Sequence, residues 1–237
     1  QLLREHRDQL PADVTEPMAD ALGDAALAIF RRNVGPFYTN IAVMGGVGTL
    51  AAGELLGDRR MRAYGRRRLE RAVEHHRYHE NFNEYNSPTY MPVTMWELER
   101  GLMLCEDGDG RASMQFLFRA CWESIARHLH RPTSQLSGPW SRHYFTHLLP
   151  GFVAYLREQT GLPLEVHPDL RDNQSLNEAV APIRHQPCPP DIVDALANAP
   201  QQRELSFMCV KRPEPDNSVH GVTCHDRDAC LGSINQG

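Results

Sequence analysis

The stretch Asn81-Phe82-Asn83-Glu84-Tyr85-Asn86-Ser87-Pro88-Thr89-Tyr90 gathers amides, a carboxylate, hydroxyls and two phenols at the entry to an apolar segment. Amides and hydroxyls hydrogen-bond hydroxyl-rich ligands, and a carboxylate beside phenols can move protons. Two shorter stretches share this character, Tyr38-Thr39-Asn40 and Gly138-Pro139-Trp140-Ser141-Arg142-His143-Tyr144. Together the three offer Asn, Tyr, Arg and His, a set suited to a saccharide site, with Glu84 as a candidate catalytic carboxylate. Each residue also has a plainer use. Asn40 and Ser87 suit helix caps, Pro88 a first-turn position, and Tyr90 a core aromatic with a satisfied hydroxyl.

The elements that must position these loops read as helices. Val14, Met18, Ala21, Leu22, Ala25 and Phe30 recur at helical spacing over 14–33, with Asp13 or Thr15 as the expected cap. A second helix follows Tyr38-Thr39-Asn40 as far as Leu56. It is apolar nearly all round and rich in glycine, which predicts a buried helix closely approached by its neighbours. Arg59 to His79 is arginine-rich with a thin apolar stripe, an outer helix. Further helices are expected over 93–104, over 111–129, and from the Gly138–Tyr144 loop to about Thr160. Outer polar helices thus alternate with inner apolar ones, and a polar, aromatic loop precedes each inner helix. That alternation predicts a mainly α fold, an (α/α) toroid of antiparallel hairpins over residues 1–161, with a plain bundle or solenoid as the alternative.

Residues 162–237 differ in character. Pro163, Pro168, Pro182, Pro187, Pro189, Pro190 and Pro200 break the helical pattern, apart from a short helix near Asp191–Ala199. Glu204–Val210 and Val219–Thr223 read as strands, so this part is expected to be loop-rich with β-strands, the start of a β-sheet domain that stops midway. Three hairpins are few for a closed toroid, and the chain carries neither an initiator methionine nor a signal peptide. It reads as a trimmed product or fragment with an incomplete toroid.

Several patterns point to chemistry that the surrounding residues do not support. Gly46, Gly48 and Ala51 match the spacing of a dinucleotide-binding turn, but the arginine-rich helix stands where a second strand should end in an acidic residue. Close helix packing explains those glycines better. His75, His76 and His79 end an outer helix, where positive side chains suit the dipole, and His128 and His130 repeat the arrangement. No HExxH pattern occurs, so neither a metal nor another cofactor is expected. Cys105 and Cys121 read as buried thiols, and a Cys224–Cys230 disulfide is conceivable by spacing alone.

A net charge of −5 over 237 residues, with Lys211 the only lysine, argues against a nucleic-acid partner. The longest apolar stretch, 41–56, carries Glu54 and several glycines and predicts no membrane span.

The stretches Tyr38-Thr39-Asn40-Ile41, Glu84 to Tyr90 and Gly138 to Tyr144 resemble a group of largely uncharacterised microbial proteins. That group is similar to the heparinase II/III and chondroitin AC/alginate lyase type of (α/α)-toroid polysaccharide lyase. The tail Asp228-Ala229-Cys230-Leu231-Gly232-Ser233-Ile234-Asn235 is similar to a segment of the β-sheet domain that follows the toroid there. The likeness covers most of residues 36–160 and this tail. It implies that an Asn neutralises the uronate carboxylate, that a Tyr or His abstracts the C5 proton, and that a Tyr protonates the departing O4. By position, Asn40 and Asn86 would neutralise, Tyr90 would act as acid and base, and Arg142 would bind carboxylate with His143 or Tyr144 assisting. Tyr38, Tyr85 and Trp140 complete the expected substrate-binding set. Ile41 follows Asn40 where some alginate lyases carry an Asn-His pair, which leaves the identity of the base open.

The expected function is therefore a polysaccharide lyase that cleaves uronate-containing glycan by β-elimination. A hydrolase on the same scaffold, with Glu84 catalytic, is the first alternative, and a non-catalytic saccharide-binding protein the second. The expected partner is a polysaccharide or oligosaccharide. Oligomeric state is open, and secreted and cytoplasmic locations both fit.

Overall fold

A computed structural model describes residues 1–170 and 185–235. The loop-rich reading of 171–184 and the chain's last two residues lie outside them. The described chain is mainly helical and ends in antiparallel strands. Its helices are α1 (Leu2–Glu5), α2 (Ala12–Arg32), α3 (Thr39–Leu55), α4 (Arg59–His79), α5 (Tyr90–Leu104), α6 (Gly108–His128), α7 (Pro150–Thr160) and α8 (Pro190–Ala197). Strands β1 (Leu129–His130) and β2 (Gln135–Leu136) form a two-stranded ribbon between α6 and α7. Strands β3 (Arg203–Val210), β4 (Val219–His225) and β5 (Cys230–Ile234) form a sheet in that order.

Helix α3 lies at the centre, packed against α2, α4 and α5, with Val43, Val47 and Leu50 fully or almost fully buried. Its glycines set how close the neighbours come. A Cβ on Gly65 of α4 would stand 2.7 Å from Leu50 Cα and 2.9 Å from the Gly46 carbonyl oxygen, and one on Gly53 would stand 2.7 Å from Arg62 Cα. The two backbones touch there. Gly45 leaves room for Arg68, a buried guanidinium that donates to the Tyr64 hydroxyl, the Asn33 amide oxygen and the Ala42 carbonyl. The glycine run is thus interior to a helix, and no strand precedes it.

Several boundaries differ from the sequence reading. Neither Asp13 nor Thr15 caps α2; Pro11 holds that position with extended backbone. Helix α5 begins at Tyr90, three residues early, because Pro92 falls in the first turn, where no N–H is needed. Helix α7 begins only at Pro150. The N–H groups of Tyr144 and Phe145 go to Thr89 Oγ1, and that of Leu148 to Gln135 Oε1, so this backbone is committed outside a helix.

Gly161, in the left-handed region at φ 69°, ends α7 and the regular helical array. The core does not end there. Leu162, Leu164, Cys188, Ile192 and Leu196 pack into the same apolar cluster as Leu117, Trp122 and Phe152. The described cysteines are free. Cys224 pairs with Leu231 and His225 with Cys230, so Cys224 and Cys230 point to opposite faces of the sheet and cannot be bridged.

Candidate functional site

The loops at 81–90 and 138–145 are zipped together by hydrogen bonds. Ser141 N donates to the Tyr85 carbonyl at 3.1 Å, Asn86 Nδ2 to the Pro139 carbonyl at 3.1 Å, and Ser87 Oγ to the Arg142 carbonyl at 2.8 Å. Tyr144 N donates to Thr89 Oγ1 at 2.9 Å. The C-terminal sheet buttresses the same loop from behind. Thr223 Oγ1 donates to the Gly138 carbonyl, and Gly232 lies so close that a Cβ there would overlap the backbone of Gly138 and Pro139. Asn86 and Arg142 both hold left-handed backbone, φ 52° and 51°, which these bonds stabilise. The stretch at 81–90 therefore spends most of its polar side chains as a cradle. Arg142 and Tyr144 are what it presents.

The presented groups meet others from the starts of α3 and α5. Arg142 Nη2 donates to the Tyr38 hydroxyl, and the guanidinium carbon stands 3.7 Å from the Tyr38 ring centroid and 5.4 Å from that of Tyr90. The rings of Tyr90 and Tyr144 meet edge to face at 5.8 Å, and the two hydroxyls influence each other's titration. Behind them Glu84 is 2% exposed. Its Oε2 accepts the Asn40 N–H at 2.7 Å in the first turn of α3, and its Oε1, 3.7 Å from Arg142 Nη1, makes no hydrogen bond.

This arrangement sorts the phenols. Its hydrogen bond with Tyr90 holds the Tyr144 hydroxyl below the usual phenol value, with the Arg142 guanidinium adding to the effect. The same hydrogen bond pushes Tyr90 up to about 12. Tyr144 is thus the candidate base and Tyr90 the candidate acid of the pair. Tyr144 is also 75% exposed, open to a ligand. Burial raises the Glu84 carboxyl above its ordinary value, against the opposing pull of the Asn40 N–H and Arg142.

Residues 1–150, which contain Tyr38, Glu84, Tyr90, Arg142 and Tyr144, match a family described only as a domain of unknown function, DUF8769. The chain belongs to that family. No curated protein sequence and no solved structure matches it.

The remaining expected site residues of this DUF8769 chain are placed elsewhere. Tyr85 is buried, its ring 6.4 Å from Phe207 and its hydroxyl against Cys209, tying the cradle to the sheet. Asn86, 1% exposed, is committed to Pro139 and Ser124. Both are structural, because a side chain spent on the protein interior has nothing left for a ligand. Asn40 is buried within the first turn of α3, its Oδ1 accepting the Ile41 N–H at 2.7 Å. It is no cap: Tyr38 occupies that position. Ser87 Oγ does accept the Tyr90 N–H at 3.1 Å, before the start of α5. His143 packs edge-on against Trp140 at 5.2 Å, and Trp140 Nε1 donates to the Leu136 carbonyl, so this pair forms the other flank of the loop.

The histidines at the helix ends also differ from the dipole reading. Burial lowers His76 to about 4 and His128 to about 3, so both are neutral beside Phe82 and Phe207 respectively. His75 bonds Asn83, His79 accepts from Lys211 N, and His130 bonds Thr133 and the Asp226 carbonyl. These separate duties explain them without an ion. Sequence reasoning missed Thr89, Thr223 and Gly232, which fix the loop, since nothing local to them marks that role.

Proposed function

We propose that this chain is a polysaccharide lyase that cleaves uronate-containing glycan by β-elimination, on a helical array of the (α/α)-toroid kind. The observation that carries this reading is the edge-to-face Tyr90–Tyr144 pair beside the Arg142 guanidinium. A proton alpha to a carboxylate is barely acidic until that charge is offset, and Arg142 supplies a cation with fixed planar donors. Tyr38 holds the guanidinium in place through its ring and hydroxyl. The Tyr144 phenolate then takes the C5 proton. The C5–H electrons form the C4=C5 double bond, the C4–O4 bond breaks, and Tyr90 supplies the proton for O4. Trp140 offers a ring and His143 a ring nitrogen for neighbouring sugars.

Hydrolysis is the weaker reading on this geometry. It needs two carboxyl groups across the scissile bond. Among the described residues, Glu84 is the one carboxylate in ion-pair or hydrogen-bond contact with the cluster, and it is already committed to α3. Glu80 caps α4 beside Lys211, and Glu97 pairs with Arg100.

The test is a panel of uronic-acid polymers, followed by the ultraviolet absorbance of the new double bond conjugated with its carboxylate. Absorbance that Arg142→Lys reduces about 100-fold or more supports elimination through a fixed guanidinium. New reducing ends without absorbance would replace this reading with hydrolysis, and binding without either product would replace it with a saccharide-binding role.

A further inference from the structure

A second group of donor atoms assembles on the far flank of the same loop. His147 lies between Tyr144 and α7, and His167 lies beyond α7 just ahead of the single turn Pro168–Leu170. Their rings stack with centroids 3.6 Å apart and planes 8° apart. Asp169 brings a carboxylate oxygen to 3.7 Å from His167 Nδ1. One ligand atom from each of the three lies within 4.8 Å of the other two. Both imidazoles line a cavity of about 520 Å³ whose walls include Pro139, Trp140 and Leu231.

The local chemistry does not otherwise explain this cluster. Neither ring nitrogen of His147 has a hydrogen-bond partner among the described residues, and His167 Nδ1 receives only the long 3.4 Å contact from Asp169 N. Two imidazoles beside a carboxylate and open to a cavity are metal ligands in waiting.

We propose that His147, His167 and Asp169 form a binding site for a divalent cation of the zinc class. Two nitrogens and one carboxylate oxygen are the donor types that zinc takes, whereas calcium and magnesium require oxygen ligands throughout. Zinc holds its ligands at about 2.0–2.2 Å, which sets donors roughly 3.3 Å apart. Binding therefore draws the cluster inward, mainly by turning one ring out of the stack. Three protein ligands leave a fourth position, and because both imidazoles line the cavity it faces that space, available to water or an anionic oxygen. The site shares no residue with the Arg142–Tyr144 cluster, so it stands whether or not the chain is a lyase.

The experiment is calorimetric titration of the chelator-stripped full chain with Zn²⁺, alone and with excess Mg²⁺. The expected result is one zinc ion per chain, unaffected by Mg²⁺. Binding should disappear in His147→Gln and His167→Gln and weaken at least about tenfold in Asp169→Asn. It should remain in His75→Gln, which alters the other histidine-rich segment. Circular dichroism of each variant establishes that its fold is retained, and all four altered residues are at least partly exposed. Zinc binding unchanged in both histidine variants, or no zinc bound by the unaltered chain, overturns the proposal. As a second readout, cobalt(II) should give the visible bands of a four-coordinate site, lost in the same variants.

Discussion

Glu84 Oε2 accepts the backbone N–H of Asn40 at 2.7 Å, joining the cradle at 81–90 to the first turn of α3. A carboxylate at a helix N-terminus is favoured by the unpaired N–H groups and the dipole there. This single bond gives Glu84 a structural duty at one of its two oxygens. The other oxygen, unbonded and near Arg142, keeps a negative charge behind the guanidinium.

Glu84→Gln should therefore leave elimination within about tenfold of the parent, whereas a hydrolase would lose nearly all turnover. Gln preserves an acceptor for Asn40, so stability should stay within about 1 kcal/mol. Glu84→Ala strands a buried N–H and should lose about 1–3 kcal/mol. The pH signature has a defined sign. The folded carboxyl titrates above the unfolded one, so the native state binds more protons in that window. Stability from this group falls as pH rises above 4.5, and Glu84→Gln abolishes that component. Urea titrations across pH measure it.

The two phenols make opposite predictions about pH. Tyr144 ionises below the usual phenol value because Tyr90 donates to it and Arg142 is near. Activity should rise with pH as Tyr144 loses its proton. In Tyr90→Phe that donor is gone, so the rising limb should move to higher pH, in addition to a fall in rate of about 100-fold or more from the lost acid. Tyr144→Phe should have no such limb. A limb that stays put in Tyr90→Phe would break the link between the pair.

Much of the helical order was readable because α3 and α4 declare themselves, one apolar all round with glycines, the other charged with a thin stripe. The three polar loops were also readable as a set through their shared residue types, although the third does not enter a helix, since α7 begins only at Pro150. Their division of labour was not. Asn86, Ser87 and Thr89 carry the same functional groups as ligand-binding residues, and only the partner across the fold shows that they are spent on the 138–145 backbone. His147 and His167 were invisible for the same reason, being 20 positions apart and joined by packing alone.

Acid should weaken the fold through buried histidines. His128 is lowered to about 3, by burial first and Arg127 second; His225 and His76 are lowered to about 4, also by burial first. Each binds its proton more readily in the unfolded chain, near pH 6.5. Their neutral forms hold the native state, and stability is lost as pH falls from 6.5 towards 4. Glu84, Glu97 and Glu99, whose carboxyls burial raises, act in the opposite direction, but the shifts of the three histidines are the large ones. The urea midpoint should therefore drop over this range. His225→Gln, which can still meet Ser137 Oγ, should give a shallower slope than the parent.

Gly232 offers a way to disturb the candidate site from the sheet without touching any group in it. Its backbone lies against Gly138 and Pro139, and a Cβ there would overlap main-chain atoms that cannot swing aside as a side chain would. Gly232→Ala must push the loop outward or distort β5. Overpacking of this kind costs about 1–3 kcal/mol. The displaced loop carries Arg142 and Tyr144, and misplacing reacting groups by about 1 Å can cost about 100-fold in rate. Activity should consequently fall much further than stability. Gly108→Ala provides the comparison, because a Cβ there meets nothing within 4 Å at the start of α6. It should leave activity unchanged and stability equal or higher by about 0.4–1 kcal/mol. Equal activity in the two variants would mean that the sheet does not set the position of the loop.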